Sequence, residues 1–199
     1  MTARAHEELS VLQAEKVIER FRKTGALLEG HFVLTSGLHS PIYLQCALVL
    51  QQPRDAEEFG LSLAEHFQAE NIQTVAAPAI GGIVIGHEVA RALGARFVWT
   101  ERQSSTMVLR RGFSVSLGER ILVVEDVVTT GGSTRETVAA LQASGAKVVA
   151  AASIIDRSSG KAVVGVPRIA LATLDVPAVD PAVCEACKRG ELAVKPGSR

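Results

Sequence analysis

Neither sign of charge is in excess: Lys plus Arg and Asp plus Glu each number 21, for a formal net charge of zero. That balance argues against a strongly basic nucleic-acid binder, local patches aside. Aromatic residues are scarce, at 4%, whereas hydrophobic residues reach 47% and are mostly Ala, Val and Leu. Such a composition suits helices packed on a parallel sheet. No uninterrupted apolar stretch reaches bilayer-spanning length. Residues Met1 to Glu8 are polar and carry no apolar signal core, so a cytoplasmic chain is expected, with neither membrane nor nucleic acid as partner. Three cysteines, Cys46, Cys184 and Cys187, make no disulfide framework in a chain of 199 residues. Cys184 and Cys187 form a lone CxxC. A zinc site would need two more ligands, and with no second CxxC or paired-His motif the thiols are expected to be reduced, and structural or incidental. Two nucleotide loops are missing as well. GxGxxG does not occur, and Gly81 to Gly86 has half of P-loop spacing but continues into His87 and Glu88.

What is present is a repeated strand–helix pattern. Apolar positions Leu9, Leu12, Val17, Ile18 and Phe21 predict a helix over residues 7–25, with Gly25 near its end. Strand signals at His31 to Thr35 and Ile42 to Cys46, around Ser36 and Gly37, predict a small hairpin. Pro53 opens a helix to about Glu70, with Asp55, Glu57 and Glu58 in its first turn. Strands are then expected at Thr74 to Pro78, Arg96 to Trp99, Arg120 to Glu125, Lys147 to Ile155 and Arg168 to Leu174, with helices between. The alternation implies an α/β fold, a Rossmann-like parallel sheet flanked by helices with right-handed crossovers. Between Glu101 and Gly118 no helix is convincing. The stretch holds Arg102, Arg110 and Arg111, and reads as a mobile basic flap rather than a β-hairpin with solvated arginines.

The most informative string runs from Ile121 to Ser133. Aliphatic residues Ile121 to Val124 read as a strand buried on both faces. Glu125 and Asp126 then fall at its carboxyl end, where ligands of open α/β sheets bind. After Val127 and Val128, the turn Thr129-Thr130-Gly131-Gly132-Ser133 offers hydroxyls and backbone N–H groups at a helix N-terminus, a ready phosphate site. Ser133 and Glu136 have capping-box spacing. Diol-binding acids beside a phosphate cup describe a ribose-5-phosphate site. The bland alternative is a buried strand whose acids cap the next helix.

This string resembles the phosphoribosyl pyrophosphate (PRPP) signature of the type I phosphoribosyltransferases. The resemblance implies that Glu125 and Asp126 hold the ribose hydroxyls, and that Val127, Val128 and the turn from Thr129 to Ser133 cradle the 5′-phosphate. It also implies that the loop Ala79-Ile80-Gly81-Gly82 holds pyrophosphate through main-chain amides. Within that family the chain is most similar to the orotate phosphoribosyltransferases, through the segment Phe32 to Tyr43, the pair Asp156-Arg157, and the tail from Cys184 to Arg199. Orotate would then meet Tyr43, Thr129 and Arg157, whose guanidinium can grip a carboxylate in a bidentate pair. Taken alone, an Arg at a strand end reads as a surface salt bridge.

Further implications are one domain over residues 1–199, with a hood (mainly 1–50 plus the C-terminal tail), a core (about 54–175) and a flap (about 101–118). A homodimer is implied, its flap reaching the partner's site. Mg²⁺ is the expected cofactor, held mainly through PRPP with help from Asp126 and no dedicated protein ligand set. Familiar members carry lysines where this chain has Thr35, Gly81 and the Gln103 to Thr106 stretch. Backbone amides, Arg102 as a catalytic and PRPP-binding residue, and Arg110 or Arg111 are expected to replace those cations. The rivals are a purine or uracil phosphoribosyltransferase and a non-catalytic PRPP-sensing regulator.

Overall fold

Helix α1 (Ala14–Lys23) buries Val17 and Phe21 completely, while its Arg20 reaches Asp55 and Glu58 of α3 (Pro53–Glu65). The computed structural model describes residues 12–34 and 37–196, so the expected helical residues before Leu12 lie outside it, as do Thr35 and Ser36. Pro53 does open α3, at a position where its missing N–H costs nothing. The helix stops at Glu65, with a short 3₁₀ turn at Gln68–Glu70 in place of its expected last turn. The expected hairpin is present. Strands β1 (Leu27–Val33) and β2 (His39–Leu44) pair antiparallel, Leu28 opposite Tyr43 and Val33 opposite His39, and α2 (Cys46–Leu50) follows.

The main sheet comprises β3 (Thr74–Pro78), β4 (Arg96–Gln103), β5 (Thr106–Leu109), β6 (Arg120–Val128), β7 (Lys147–Asp156) and β8 (Arg168–Thr173). Its order is β5-β4-β3-β6-β7-β8, parallel throughout except for β5. Period-two alternation in β6 divides the core. Leu122 and Val124 enter a cluster with Phe21, Phe59 and Ile85 on the side of α1, α3 and α4 (Gly82–Leu93). Ile121 and Val123 enter the opposite cluster with Val138 and Leu141 of α5 (Gly132–Ala143). All four strand residues are fully buried, as a central parallel strand requires.

Half of the segment read as a flap is a β-hairpin instead, because β4 runs on past Trp99 and pairs with β5, Arg102 opposite Met107 and Gln103 opposite Thr106, while residues 110–118 carry no strand or helix. Ser104, with a φ of 56°, makes the tight turn, and the buried Met107 side chain ties β5 down. Beyond β8 the tail holds the short α6 (Glu185–Lys188) and returns to the hairpin through two isolated bridges, Phe32 with Val194 and His39 with Val179.

Candidate active site

Strand β6 continues to Val128, so Glu125 and Asp126 sit inside its last residues rather than beyond its end. Glu125 is 8% exposed, and Asp126 accepts a 2.8 Å hydrogen bond from the Val127 N–H. Burial first, and the neighbouring Asp126 second, push the Glu125 carboxyl up to about 9. Burial also raises Asp126, against the opposing bonds from the Val127 N–H, Glu125 and the Cys46 thiol. Cys46 itself is driven well above its ordinary range, by burial and then by the acid pair. Burial of Glu125 against the partly exposed Asp126 thus disfavours ionising both carboxyls together.

Beyond Val128 the chain folds into a cup. Glu125, Val127, Val128 and Thr129 to Thr134 enclose about 70 Å³, roughly two waters' share of liquid volume and the scale of a small oxyanion. Gly131 begins α5 with a φ of 74°, and a Cβ there would fall 2.8 Å from Val164. The expected capping box is not formed. Gly131, not Ser133, is the N-cap, with no side-chain cap, and Glu136 turns to an ion pair with Arg102 at 2.8 Å. The first amides of α5 therefore stay available to a ligand.

The loop after β3 closes the opposite wall. The Ala79–Ile80 peptide is cis, Ile80 is 85% exposed, and Gly82 starts α4. Gly81 packs directly on Asp126, so the loop and the acid pair form one surface.

At the end of β7 two neighbours part ways. Asp156, 2% exposed, accepts from the Ser158 N–H (2.7 Å), the Ser158 hydroxyl (2.6 Å) and the Gly160 N–H (2.9 Å), and pairs with Arg168 at 2.9 Å. Burial alone would raise its carboxyl, but these bonds outweigh burial and hold it below its usual range. Arg157 is the reverse case. Its N–H is fixed by the Val128 carbonyl at 2.8 Å, burial depresses its guanidinium, and its Nε is buried with no hydrogen-bond partner among the described residues. The surface salt bridge is therefore not what the structure shows. Cys46 neighbours both Arg157 and the acid pair.

The other expected residues sit further out. Thr129 and Thr130 are exposed at the rim of the cup. Tyr43 packs on Phe32, 5.8 Å between ring centroids, three residues before Cys46. Arg102 reaches Glu136 and the Ser105 carbonyl, and both Arg110 and Arg111 engage Glu101, so the hairpin's arginines are paired within the chain. Sequence reasoning missed Cys46, the Ser158–Arg168 clasp on Asp156, and His31 and His39, which meet the CxxC. That meeting corrects the reading of the CxxC as lacking further ligand-type partners. A histidine on each strand of one hairpin was the available signal.

The family model described as a phosphoribosyl transferase domain matches residues 50–169, more than half of the chain. An orotate phosphoribosyltransferase of Desulforamulus reducens is 50% identical over 188 residues, spanning 94% of this chain and 98% of that one. Another, from Pelotomaculum thermopropionicum, is 51% identical over 185 residues, spanning 93% and 97%. The crystal structure of orotate phosphoribosyltransferase from Aeropyrum pernix superposes with a TM-score of 0.68 at 25% identity, covering 79% of this chain and 93% of that one. Acid pair, cup and loop stand at one end of the shared sheet, and the sequence likeness spans more than nine-tenths of the chain: the chain belongs to the orotate phosphoribosyltransferases of the type I phosphoribosyltransferase family.

Proposed function

We propose that the protein transfers ribose 5-phosphate from PRPP to N1 of orotate, releasing pyrophosphate and orotidine 5′-monophosphate in de novo pyrimidine (UMP) biosynthesis. The observation that carries the base assignment is Arg157, a half-buried guanidinium that shares Cys46 as a neighbour with the acid pair and keeps a buried N–H unmatched among the described residues. A buried donor without an acceptor is costly, and the carboxylate of orotate supplies one in the planar geometry arginine prefers.

In the reaction the C1–O bond to pyrophosphate breaks, its electron pair leaving with pyrophosphate, while orotate N1 bonds to C1 and its proton passes to the released pyrophosphate or to solvent. Positive character at C1 is stabilised by the carboxylates of Glu125 and Asp126, which also accept from the ribose hydroxyls. The cup from Thr129 to Ser133 anchors the 5′-phosphate, and the amides of the 79–82 loop hold the pyrophosphate; both are positioning and electrostatic work. Mg²⁺ fits this donor set. It would be held mainly through the phosphate oxygens of PRPP, with the hard carboxylate of Asp126 as the protein's contribution. The chemistry it would supply there is positive charge against the departing pyrophosphate.

A cytoplasmic homodimer is the proposed form, with the β4–β5 hairpin serving the partner's site. Support comes from a half-exposed aromatic row, Phe97, Trp99 and Phe113, beside that hairpin, of the residue type enriched in interfaces. No helix among the described residues is long and apolar enough to cross a membrane.

The test is orotate absorbance after mixing protein, Mg²⁺, PRPP and orotate, with adenine, hypoxanthine and uracil in parallel. Consumption of orotate alone, lost in Arg157→Ala, is expected. Turnover of another base overturns the substrate, and PRPP binding without any turnover overturns catalysis in favour of a regulator.

A further inference from the structure

We propose that His31, His39, Cys184 and Cys187 form a structural zinc site that staples the C-terminal tail to the β1–β2 hairpin. The ligand atoms of these four side chains all lie within 4.8 Å of one another. Cys184 Sγ is 3.4 Å from His31 Nε2, and Cys187 Sγ is 3.7 Å from His31 Nε2 and 3.3 Å from His39 Nδ1. With Zn–S near 2.3 Å and Zn–N near 2.0–2.1 Å, a tetrahedral ion sets N···S separations of about 3.6 Å. The two imidazole nitrogens stand 2.8 Å apart and need separate only slightly to admit it.

Three further observations point the same way. His31 Nδ1 lies 3.0 Å from the Glu191 carbonyl, an acceptor that fixes the proton on Nδ1 and turns the Nε2 lone pair to the centre. His31, His39 and Cys184 are buried, and two thiolates neutralise a divalent ion, so the occupied site carries no net charge into that interior. The tail's remaining anchors are sparse: two isolated backbone bridges tie its described residues to the hairpin. Val183, Leu192 and Val194 are more than half exposed, and Val176 and Cys184 are the apolar tail residues found buried among those described. Small segments without a core are where a structural metal supplies the missing stability. A borderline-soft N₂S₂ set selects zinc over magnesium or calcium.

The full chain, purified without chelator, should carry about one zinc, as a closed four-ligand site does. Cobalt(II) added to the reduced, chelator-stripped chain should give the intense visible absorption of a tetrahedral thiolate centre, and Cys187→Ser should abolish it. Because a ligand variant can fail to fold, the unmutated chain supplies a second readout. Chelation should lower its Tm and speed proteolysis of the tail, and zinc alone should reverse both. A pale octahedral cobalt spectrum, a Tm indifferent to zinc, or a Cys184–Cys187 disulfide in freshly purified protein would each overturn the proposal.

Discussion

Gly81 lies so close to Asp126 that a Cβ on it would stand 2.9 Å from both carboxylate oxygens. The side chain that must yield is the one assigned to the ribose, not the fold around it. Gly81→Ala is therefore expected to cost little stability, within about 1 kcal/mol, and at least tenfold in kcat/KM, about 1.4 kcal/mol of transition-state binding. Steady-state kinetics beside denaturant unfolding separates the two. Unchanged kcat/KM in a folded variant would show that Asp126 is free to move.

Asp126→Asn keeps the shape and removes the charge. Its kcat is expected to fall by about 10²–10³, the scale found when one preorganised electrostatic group is lost. Activity comparable to the parent in purified Asp126→Asn sinks the ribose role.

Proton linkage gives a third test. Glu125 titrates at about 9 in the folded chain against 4.5 ordinarily, so between those values the folded protein keeps a proton that the unfolded chain has released. Stability thus falls as pH rises through that window. Unfolding free energies across pH 5 to 9, a range inside that window, should decline in the parent and flatten in Glu125→Gln. Parallel slopes in the two proteins would remove Glu125 as the cause.

Asp156 and Arg168 form a buried pair with side chains 3% and 13% exposed. Removing the arginine leaves the buried carboxylate its Ser158 and Gly160 donors but no counter-charge, so Arg168→Met should cost about 1.5–3 kcal/mol by chemical denaturation. The loop carrying Arg157 would loosen with it, raising KM for orotate more than for PRPP. Equal effects on both substrates would detach the clasp from the base.

Arg102 is held by Glu136 in an exposed pair, side chains 44% and 38% accessible, a contact worth well under about 1 kcal/mol. A catalytic Arg102 can leave such a partner cheaply. Glu136→Gln should keep kcat, whereas Arg102→Gln should lose at least tenfold. Full kcat in Arg102→Gln returns the hairpin arginines to surface roles.

The central sheet was legible because Ile121 to Val124, and the matching runs in β3 and β7, are apolar on both faces and flanked by glycine turns. The β4–β5 hairpin was not, because Thr100 to Gln103 are polar and show no alternation; register with β5, not composition, makes them a strand. The acid pair and cup could be read from one continuous string. Their pairing with Cys46 could not, because it depends on how α2 packs onto the sheet. The Asp156 clasp needs Arg168 from the next strand, and the His–Cys cluster joins residues 153 positions apart. Spacing arguments see neither.

The strands β3, β6 and β7 are consecutive neighbours in the sheet, although β4 and β5 intervene along the chain. Adjacent strands lie about 4.8 Å apart, so the loops after β3 and β7 stand about 10 Å from each other with the end of β6 between them. On the proposed reading the departing pyrophosphate, the sugar and the incoming base each occupy one lane of that edge. Attack and departure then face each other across C1, and the order of three strands sets the stereochemistry: displacement with inversion at that carbon.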